Sequence, residues 1–412
     1  MVSAMVTGRL PLPLLIVLMS AGSAAAQESL FNRSTLSGVV VAGPVIADDE
    51  RSWTDGGYGK LEHDGGAFDV DGVLVWRPNV SPRWGAHVSV AGQLGLNEGA
   101  GWGEAYFRLR RDPHATIGLS GRAGLFFPPA SREHDGADWS TQYSLTPSAI
   151  GSWIAEEVKV AGVEATAHIP LGAQSGSLTL AVFGANDTAG TLLTFRGWAL
   201  HDIRATVPQT LALPPTPDLF AGLQAPRTKP VAEIDDRLGV YGRAEATVSP
   251  GLRLGALAYA NGGDRVSVIE GQYAWKTRFL TLDAHWQADD DTVVIAQAMA
   301  GDTEMGVTPQ GLIMAHVGYH AAYILASRLF PAGSLSARIE VFGVDDRSFV
   351  AEDDNNERGG AFTASWAMPV STGTEFVAES VSVWSDRPSR ARLGDDTERL
   401  NLSARLALRT RF

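Results

Sequence analysis

Apolar and polar residues alternate with a period of two along most of this chain. "GEAYFRLRR" sets Ala105, Phe107 and Leu109 against Glu104, Tyr106, Arg108 and Arg110. "ATIGLSGRAGLFF" sets Ile117, Leu119, Ala123, Leu125 and Phe127 against Thr116, Ser120 and Arg122. "VYGRAEATV" sets Val240, Ala244, Ala246 and Val248 against Tyr241, Arg243, Glu245 and Thr247. "AHVGYHAAYILASRLF" sets Val317, Tyr319, Tyr323, Leu325 and Leu329 against His316, His320 and Arg328. The closing "ERLNLSARLALRTRF" puts Leu400, Leu402, Ala404, Leu406, Leu408 and Phe412 against Arg399, Asn401, Ser403, Arg405, Arg409 and Arg411. Successive side chains of a strand point to opposite faces, so each segment reads as a strand with one apolar face. Two segments resist this reading. In 270–287 Tyr273, Trp275 and Thr277 alternate one way and Leu280, Leu282, Ala284 and Trp286 the other, which predicts a bulge near Arg278. In 374–385 Val377, Val381 and Val383 share a face with Glu379.

Short connections rich in turn residues ("PNVSP", "RDPH", "SPG", "ADDD", "PAG", "VSTG") alternate with long polar or Pro-rich ones at 44–66, 128–156, 187–236, 305–312, 346–358 and 387–397. That alternation is the pattern of a transmembrane antiparallel β-barrel, all-β, with tight periplasmic turns and long external loops. Seventeen segments alternate, but termini on one side require an even number. Assigning 191–201 to a long loop leaves about sixteen strands, within a range of fourteen to eighteen. No later stretch offers the roughly 20 apolar residues of a membrane helix.

The arginines decide which face meets which solvent. An arginine facing lipid at mid-depth costs about 2–4 kcal/mol. The register should therefore turn Arg108, Arg110, Arg122, Arg243, Lys276, Arg328, Arg338, Arg399, Arg405 and Arg409 into an aqueous lumen, with Glu104, Glu245 and Glu340. Two readings follow: a basic lumen that concentrates anions, or cations paired with Asp69, Asp71, Glu104, Glu245 and Glu340 to brace a nonselective wall. Loop 128–156, which mixes Arg132, Glu133, His134, Asp135 and Asp138 with Trp139, Tyr143 and Trp153, is the candidate constriction, and 187–236 its competitor.

Residues 1–26 read as a signal peptide: Arg9, the apolar "LPLPLLIVLM", then the small-residue "SAGSAAA". Residues 27–412 read as one barrel with no linker. The chain has 45 glycines, no cysteine and a net charge of −13. The missing thiols exclude disulfides and thiolate catalysis, and the charge argues against a nucleic-acid partner. Carboxylates at 345–357 make Asp353, Asp354 and Glu357 a weak Ca²⁺ candidate without EF-hand spacing. His87 and Ser89 share a face, but no nucleophile elbow accompanies them.

The terminal "LALRTRF", ending on Phe412, resembles the signal read by the outer-membrane assembly machinery. "LTPSAIGSWIAEEV" (145–158), "DDNNERGGAFTASW" (353–366) and "SDRPSRARLG" (385–394) resemble stretches of bacterial outer-membrane porins of the general and phosphate-selective superfamily. The resemblance covers essentially all of 27–412. It implies a cofactor-free channel in outer-membrane lipid for passive diffusion of small hydrophilic solutes or anions, and it permits a homotrimer. The alternative is a smaller closed barrel of eight to twelve strands acting as an enzyme or adhesin; strand number separates the two, because a narrow barrel fills with side chains.

Overall fold

Sixteen antiparallel strands close on themselves, because the first pairs with both the second and the last. They are β1 (Leu36–Ala47), β2 (Gly66–Trp76), β3 (Trp84–Leu94), β4 (Gly99–Leu109), β5 (Gly118–Phe126), β6 (Val160–Leu171), β7 (Gln174–Gly184), β8 (Gly239–Ser249), β9 (Leu252–Ala260), β10 (Lys276–Gln287), β11 (Thr292–Val307), β12 (Ile313–Phe330), β13 (Gly333–Asp346), β14 (Glu357–Ser371), β15 (Thr374–Asp386) and β16 (Glu398–Arg411). This computed structural model describes residues 30–412 except 95–98, 135–138, 173, 221 and 351–352. The segment read as a signal peptide, and Asp135 and Asp138, lie outside the described residues. Sixteen strands exclude the eight- to twelve-stranded alternative.

One end of the barrel carries tight turns, and the other carries the long segments 48–65, 127–159 and 185–238. Glycine serves the tightest reversals: Gly251 and Gly373 both sit at φ 79°, a conformation that strains any residue with a Cβ. Outward along β16 stand Leu400, Leu402, Leu406 and Leu408, all exposed, while Asn401, Arg405 and Arg409 are buried inside. The same outward face bears Leu178, Leu180 and Val182 on β7 and Leu280 and Leu282 on β10. Trp84 and Phe412 stand at the turn end and Trp102 and Trp384 near the loop end, all exposed. An apolar belt with aromatics at its rims is the surface of a lipid-embedded barrel. Among the described residues no helix is long and apolar enough to cross a membrane.

The lumen is filled from the loop end. Segment 127–159 folds inward and carries α1 (Ala149–Glu157), whose nine residues are all buried. Ser148 caps it, its Oγ accepting the Gly151 amide at 3.1 Å. Segment 185–238 also enters and carries α2 (Thr191–Phe195). Ile150, Trp153 and Ile154 of α1, with Trp198, form one cluster with the inner-wall residues Phe183, Tyr241, Tyr259, Phe279, Tyr319, Tyr323 and Phe342. Trp153 stands edge-on to Phe279 at 5.5 Å and to Trp198 at 6.1 Å.

This packing corrects three expectations. On β12 the apolar set Val317, Tyr319, Tyr323 and Leu325 faces inward and is buried, while His316, His320 and Arg328 take the outward parity. The inward apolar face is covered by the inserted loops, so it needs no lipid. Arg328 lies at the turn end, half-exposed, beside Asp289 at 3.3 Å, rather than in the lumen. Lys276 likewise shares the outward parity of Leu280 at the loop end and pairs with Glu304 at 3.4 Å. Segment 270–287 is broken rather than bulged: Gln272–Tyr273 pairs with Val268–Ile269 in a separate hairpin, and β10 keeps continuous register past Arg278. Trp275 leaves the strand to pack on Phe195 and Phe220.

The segment 374–385 resolves in the same terms. Val377, Glu379, Val381 and Val383 all face inward and are buried. The Glu379 carboxylate accepts the amides of Leu145 at 2.6 Å and Thr146 at 2.8 Å from the inserted segment. A lone acid on an apolar face was the socket for a loop.

Candidate functional site

Below the inserted segment a cavity of about 530 Å³ opens against the inner wall of β3–β5 and β8. The wall supplies His87, Glu104, Tyr106, Arg108, Arg122, Arg243 and Glu245; the connection after β2 supplies Arg77; the inserted segment supplies Phe127, Pro129, Ser131, Arg132, His134 and Trp139. Strand alternation places the wall residues: Tyr106 and Arg108 are two apart on β4, and Arg243 and Glu245 two apart on β8. A second cavity of about 550 Å³ lies nearer the turn end, between Gln142 and Tyr143 of the inserted segment and the turns at Asp290 and Ser334.

Among the described residues, five arginines and two glutamates line the first cavity. Neighbouring acids partly balance them. Arg122 makes a two-pronged contact with Glu164, Nε to Oε1 and Nη2 to Oε2, both at 2.9 Å. Arg243 grips Asp283 at 2.7 and 3.0 Å and Glu245 at 3.0 Å. Arg132, reaching in from the loop, meets the same Glu245 at 2.9 Å. A charged strip of this kind stays wet and keeps a field across the space it lines.

The aromatic side of the cavity is a stack. Trp139 lies between Phe127, with centroids 4.5 Å apart, and His134 at 5.0 Å. Its backbone is left-handed, φ 49°, a conformation a bulky residue adopts only when its surroundings impose it. Burial, and then the charges of Arg204 and Arg338, hold the His134 imidazole neutral, its pKa pushed down to about 3. Ser131 Oγ lies 2.8 Å from its Nδ1.

The sequence candidates divide by what they touch. Arg108, Arg122, Arg243, Glu104 and Glu245 line the cavity. Arg338 instead clamps the inserted loop: it pairs with Glu133 and Glu340 at 2.9 Å and donates to the carbonyls of Thr146 at 2.9 Å and Pro147 at 2.8 Å. Glu340 accepts the Ala149 amide at 2.7 Å. Arg409 holds Glu375 at 2.6 Å and the carbonyls of Ser144 and Gln142 at 3.0 Å. Arg405 reaches Asp69 at 3.5 Å. Arg399 pairs with Asp395 at 3.2 Å near the loop end, and Arg110 binds Asn79 at the turn end.

The carboxylates read as a weak Ca²⁺ candidate are committed elsewhere. Asp353 pairs with Arg392 at 2.7 Å, Glu357 with Lys60 and with Arg387 at 3.5 Å, and Asp354 accepts the Asn356 amide at 3.0 Å. Asp187, Glu233 and Asp235 do converge within 4.8 Å, but backbone amides already occupy them, including those of Ile234 and Ala185. His87 stacks on Tyr106 at 4.7 Å, and Ser89 Oγ is engaged by the Glu104 amide at 2.7 Å. The sequence reading named Arg132 and Trp139 only as members of the candidate constriction loop, and did not assign Arg77, Tyr106 or Phe127 to the site. All five are loop-borne or aromatic side chains whose convergence no local spacing announces.

No family model matches this chain, and no curated protein sequence matches it. Solved structures do. The outer membrane channel DcaP of Acinetobacter baumannii aligns at TM-score 0.56 and 11% identity, over 92% of this chain and 99% of that one. A loop L8 deletion mutant of OmpT, an outer membrane protein of Vibrio cholerae, aligns at 0.52 and 7%, over 92% and 98%. The fold is that of the outer-membrane porins. The anion-selective porin from Comamonas acidovorans aligns at 0.50 and 10%, over 92% and 99%. At such identities the likeness to these porins carries architecture alone, so what passes through this porin-like barrel must be argued from its own residues.

Proposed function

We propose that this protein is an outer-membrane channel for passive diffusion of small hydrophilic solutes, biased toward anions. One observation carries the reading: a sixteen-stranded barrel, wide enough to leave a lumen, keeps a cavity of about 530 Å³ lined, among the described residues, by five arginines against two glutamates. The inserted segment 127–159 narrows the path, and segment 185–238 narrows it further. Arg108, Arg122 and Arg243 bias the passing ion, with Glu104 and Glu245 beside them on the same wall; Arg338, Arg405, Arg409 and Glu340 hold the constriction in shape. Residues 1–26 direct export, 27–412 form the barrel in outer-membrane lipid, and Phe412 serves the assembly machinery. Assembly as a homotrimer belongs to the same reading. Purified protein in a planar bilayer should give ohmic conductance and a reversal potential on the anion side in a salt gradient. A folded barrel that passes no current overturns the channel, and a cation-side potential overturns the bias.

A further inference from the structure

Among the described residues, six buried nitrogens of the arginine-lined cavity have no hydrogen-bond partner; His87 Nε2 and Arg132 Nε still face carboxylates at 3.6 and 3.7 Å, which leaves Arg108 Nε, Arg132 Nη2, His134 Nε2 and Trp139 Nε1. Arg132 is only 8% exposed and His134 only 4%. Buried donors without acceptors cost about 1–3 kcal/mol each, and proteins pair nearly all of them. Here three unambiguous N–H donors, those of Arg108, Arg132 and Trp139, border one space, and the indole among them is held by a left-handed backbone between two rings.

We infer that this cavity is a saturable binding site for a small organic carboxylate, so that the channel captures its solute rather than only sieving it. The inference rests on the channel reading above and deepens it. Donors without acceptors, in a space where arginines outnumber acids among the described residues, call for an oxyanion. A volume of about 530 Å³ falls within the range of sites for small organic molecules and exceeds what a bare inorganic oxyanion fills. Tyr106, Phe127, Pro129 and Trp139 supply apolar wall for a carbon body beside the charged end. Arg132 is the anchor: its Nη1 and Nε face Glu245 and Asp283, at 2.9 and 3.7 Å, leaving Nη2 for the solute. Trp139 Nε1 is the second donor, and it fixes the orientation.

The test uses the full barrel in detergent and in single-channel bilayers, with benzoate, inorganic phosphate and benzyl alcohol as probes. Benzoate has both charge and carbon body, phosphate only the charge, the alcohol only the body. Benzoate should interrupt the current in a saturable manner and release heat on titration, and the other two should do neither at equal concentration. Arg132→Gln should weaken benzoate about tenfold, the loss of one charge-assisted hydrogen bond. Trp139→Phe, which keeps the ring and removes only the N–H, should weaken it about threefold to tenfold. Phosphate binding as tightly as benzoate, or a wild-type affinity in the Phe variant, overturns the inference. Ohmic current without saturable block leaves the channel standing and sinks the site. Calorimetric binding in a barrel that passes no current sinks the channel and keeps the site.

Discussion

The inner wall of this barrel has two unlike halves. From β7 to β13 it presents Phe183, Tyr241, Leu257, Tyr259, Phe279, Ile295, Met299, Val317, Tyr319, Tyr323 and Phe342, packed on α1 and Trp198. From β14 through β16 and on to β6 it presents Thr363, Ser365, Glu379, Arg405, Arg409, Asp69, Asp71, His87, Glu104, Arg122 and Glu164, set in ion pairs and hydrogen bonds, between small apolar residues such as Val39, Val41, Val75, Val377 and Val381. The first half behaves like the core of a soluble domain turned outside in. The second holds the charged network, the cavity with its five arginines lies along it, and Arg243 continues the strip onto β8. A barrel wide enough to conduct must shrink its lumen somewhere, and this one does so most heavily between β7 and β13, where aromatic wall is buried under an apolar insert. The off-centre space that remains is the polar crescent.

The division is open to direct attack, most strongly at Trp153. Trp153→Ala removes the ring that contacts Phe279, Trp198 and Tyr319 and should cost the insert about 3–5 kcal/mol. The barrel should still fold, shown by its retained resistance to unfolding in detergent, while single-channel conductance rises and segment 127–159 becomes protease-sensitive. Unchanged conductance would mean that the apolar half does not set the aperture.

Glu157 joins the two inserted segments. Its carboxylate accepts the amides of Gly190, Leu192 and Leu193 at 3.2, 2.8 and 3.3 Å and Trp153 Nε1 at 2.8 Å. Burial first, then the charge of Glu156, push its pKa up to about 7. A folded-state pKa above the ordinary carboxyl value means that folding retains a proton between about 4.5 and 7. The contribution of this group to the insert's stability is therefore greatest below that window and falls as pH rises through it. The insert should open more often at pH 8 than at pH 5, seen as conductance steps. Glu157→Gln, neutral throughout, should flatten that part of the pH dependence; an identical pH profile would assign it to other groups.

On the polar side, Arg132→Gln should lower the anion-to-cation permeability ratio about fivefold. The figure is the order of one unit charge at about 4 Å in water, ~1 kcal/mol. Reversal potentials in a salt gradient read it directly, and an unchanged ratio would leave the cavity off the conduction path.

How much of this was legible in the sequence depends on the strand. On β16 the leucines go to lipid and Arg405 and Arg409 to the interior, as the alternation and the cost of a charge in lipid require. Arg122, Arg243 and Arg338 also stand on inward positions. The same logic failed on β12, because alternation says that a strand has two faces and not which solvent each one meets. Tyr319 and Tyr323 face inward since a loop more than a hundred residues earlier in the chain covers them. The clue lay in the composition of that loop: "AIGSWIA" is too apolar for a solvated external segment. Trp139 and Arg132 were visible as loop residues, but only closure of the barrel brings them to Arg243. The ends of the strands misled as well, since a cation near the rim need not turn inward.

Lys276 and Arg122 make that last distinction measurable. Both are cations on alternating strands, and both were read as facing the lumen. Arg122 points in, with Glu164 at 2.9 Å. Lys276 takes the outward parity of Leu280, half-exposed, with Glu304 at 3.4 Å. Glu304 is buried but is also held by Arg265 at 2.6 Å, so it keeps a partner when Lys276 is removed, and the field of the half-exposed lysine is screened within about 10 Å at 0.1 M salt. Lys276→Ser should therefore leave the reversal potential and stability near wild type, while Arg122→Ser shifts the potential toward cations and loosens the wall at Glu164. If the two substitutions moved selectivity equally, charge would act through the barrel wall as a whole, and the polar crescent would lose its claim to be the path.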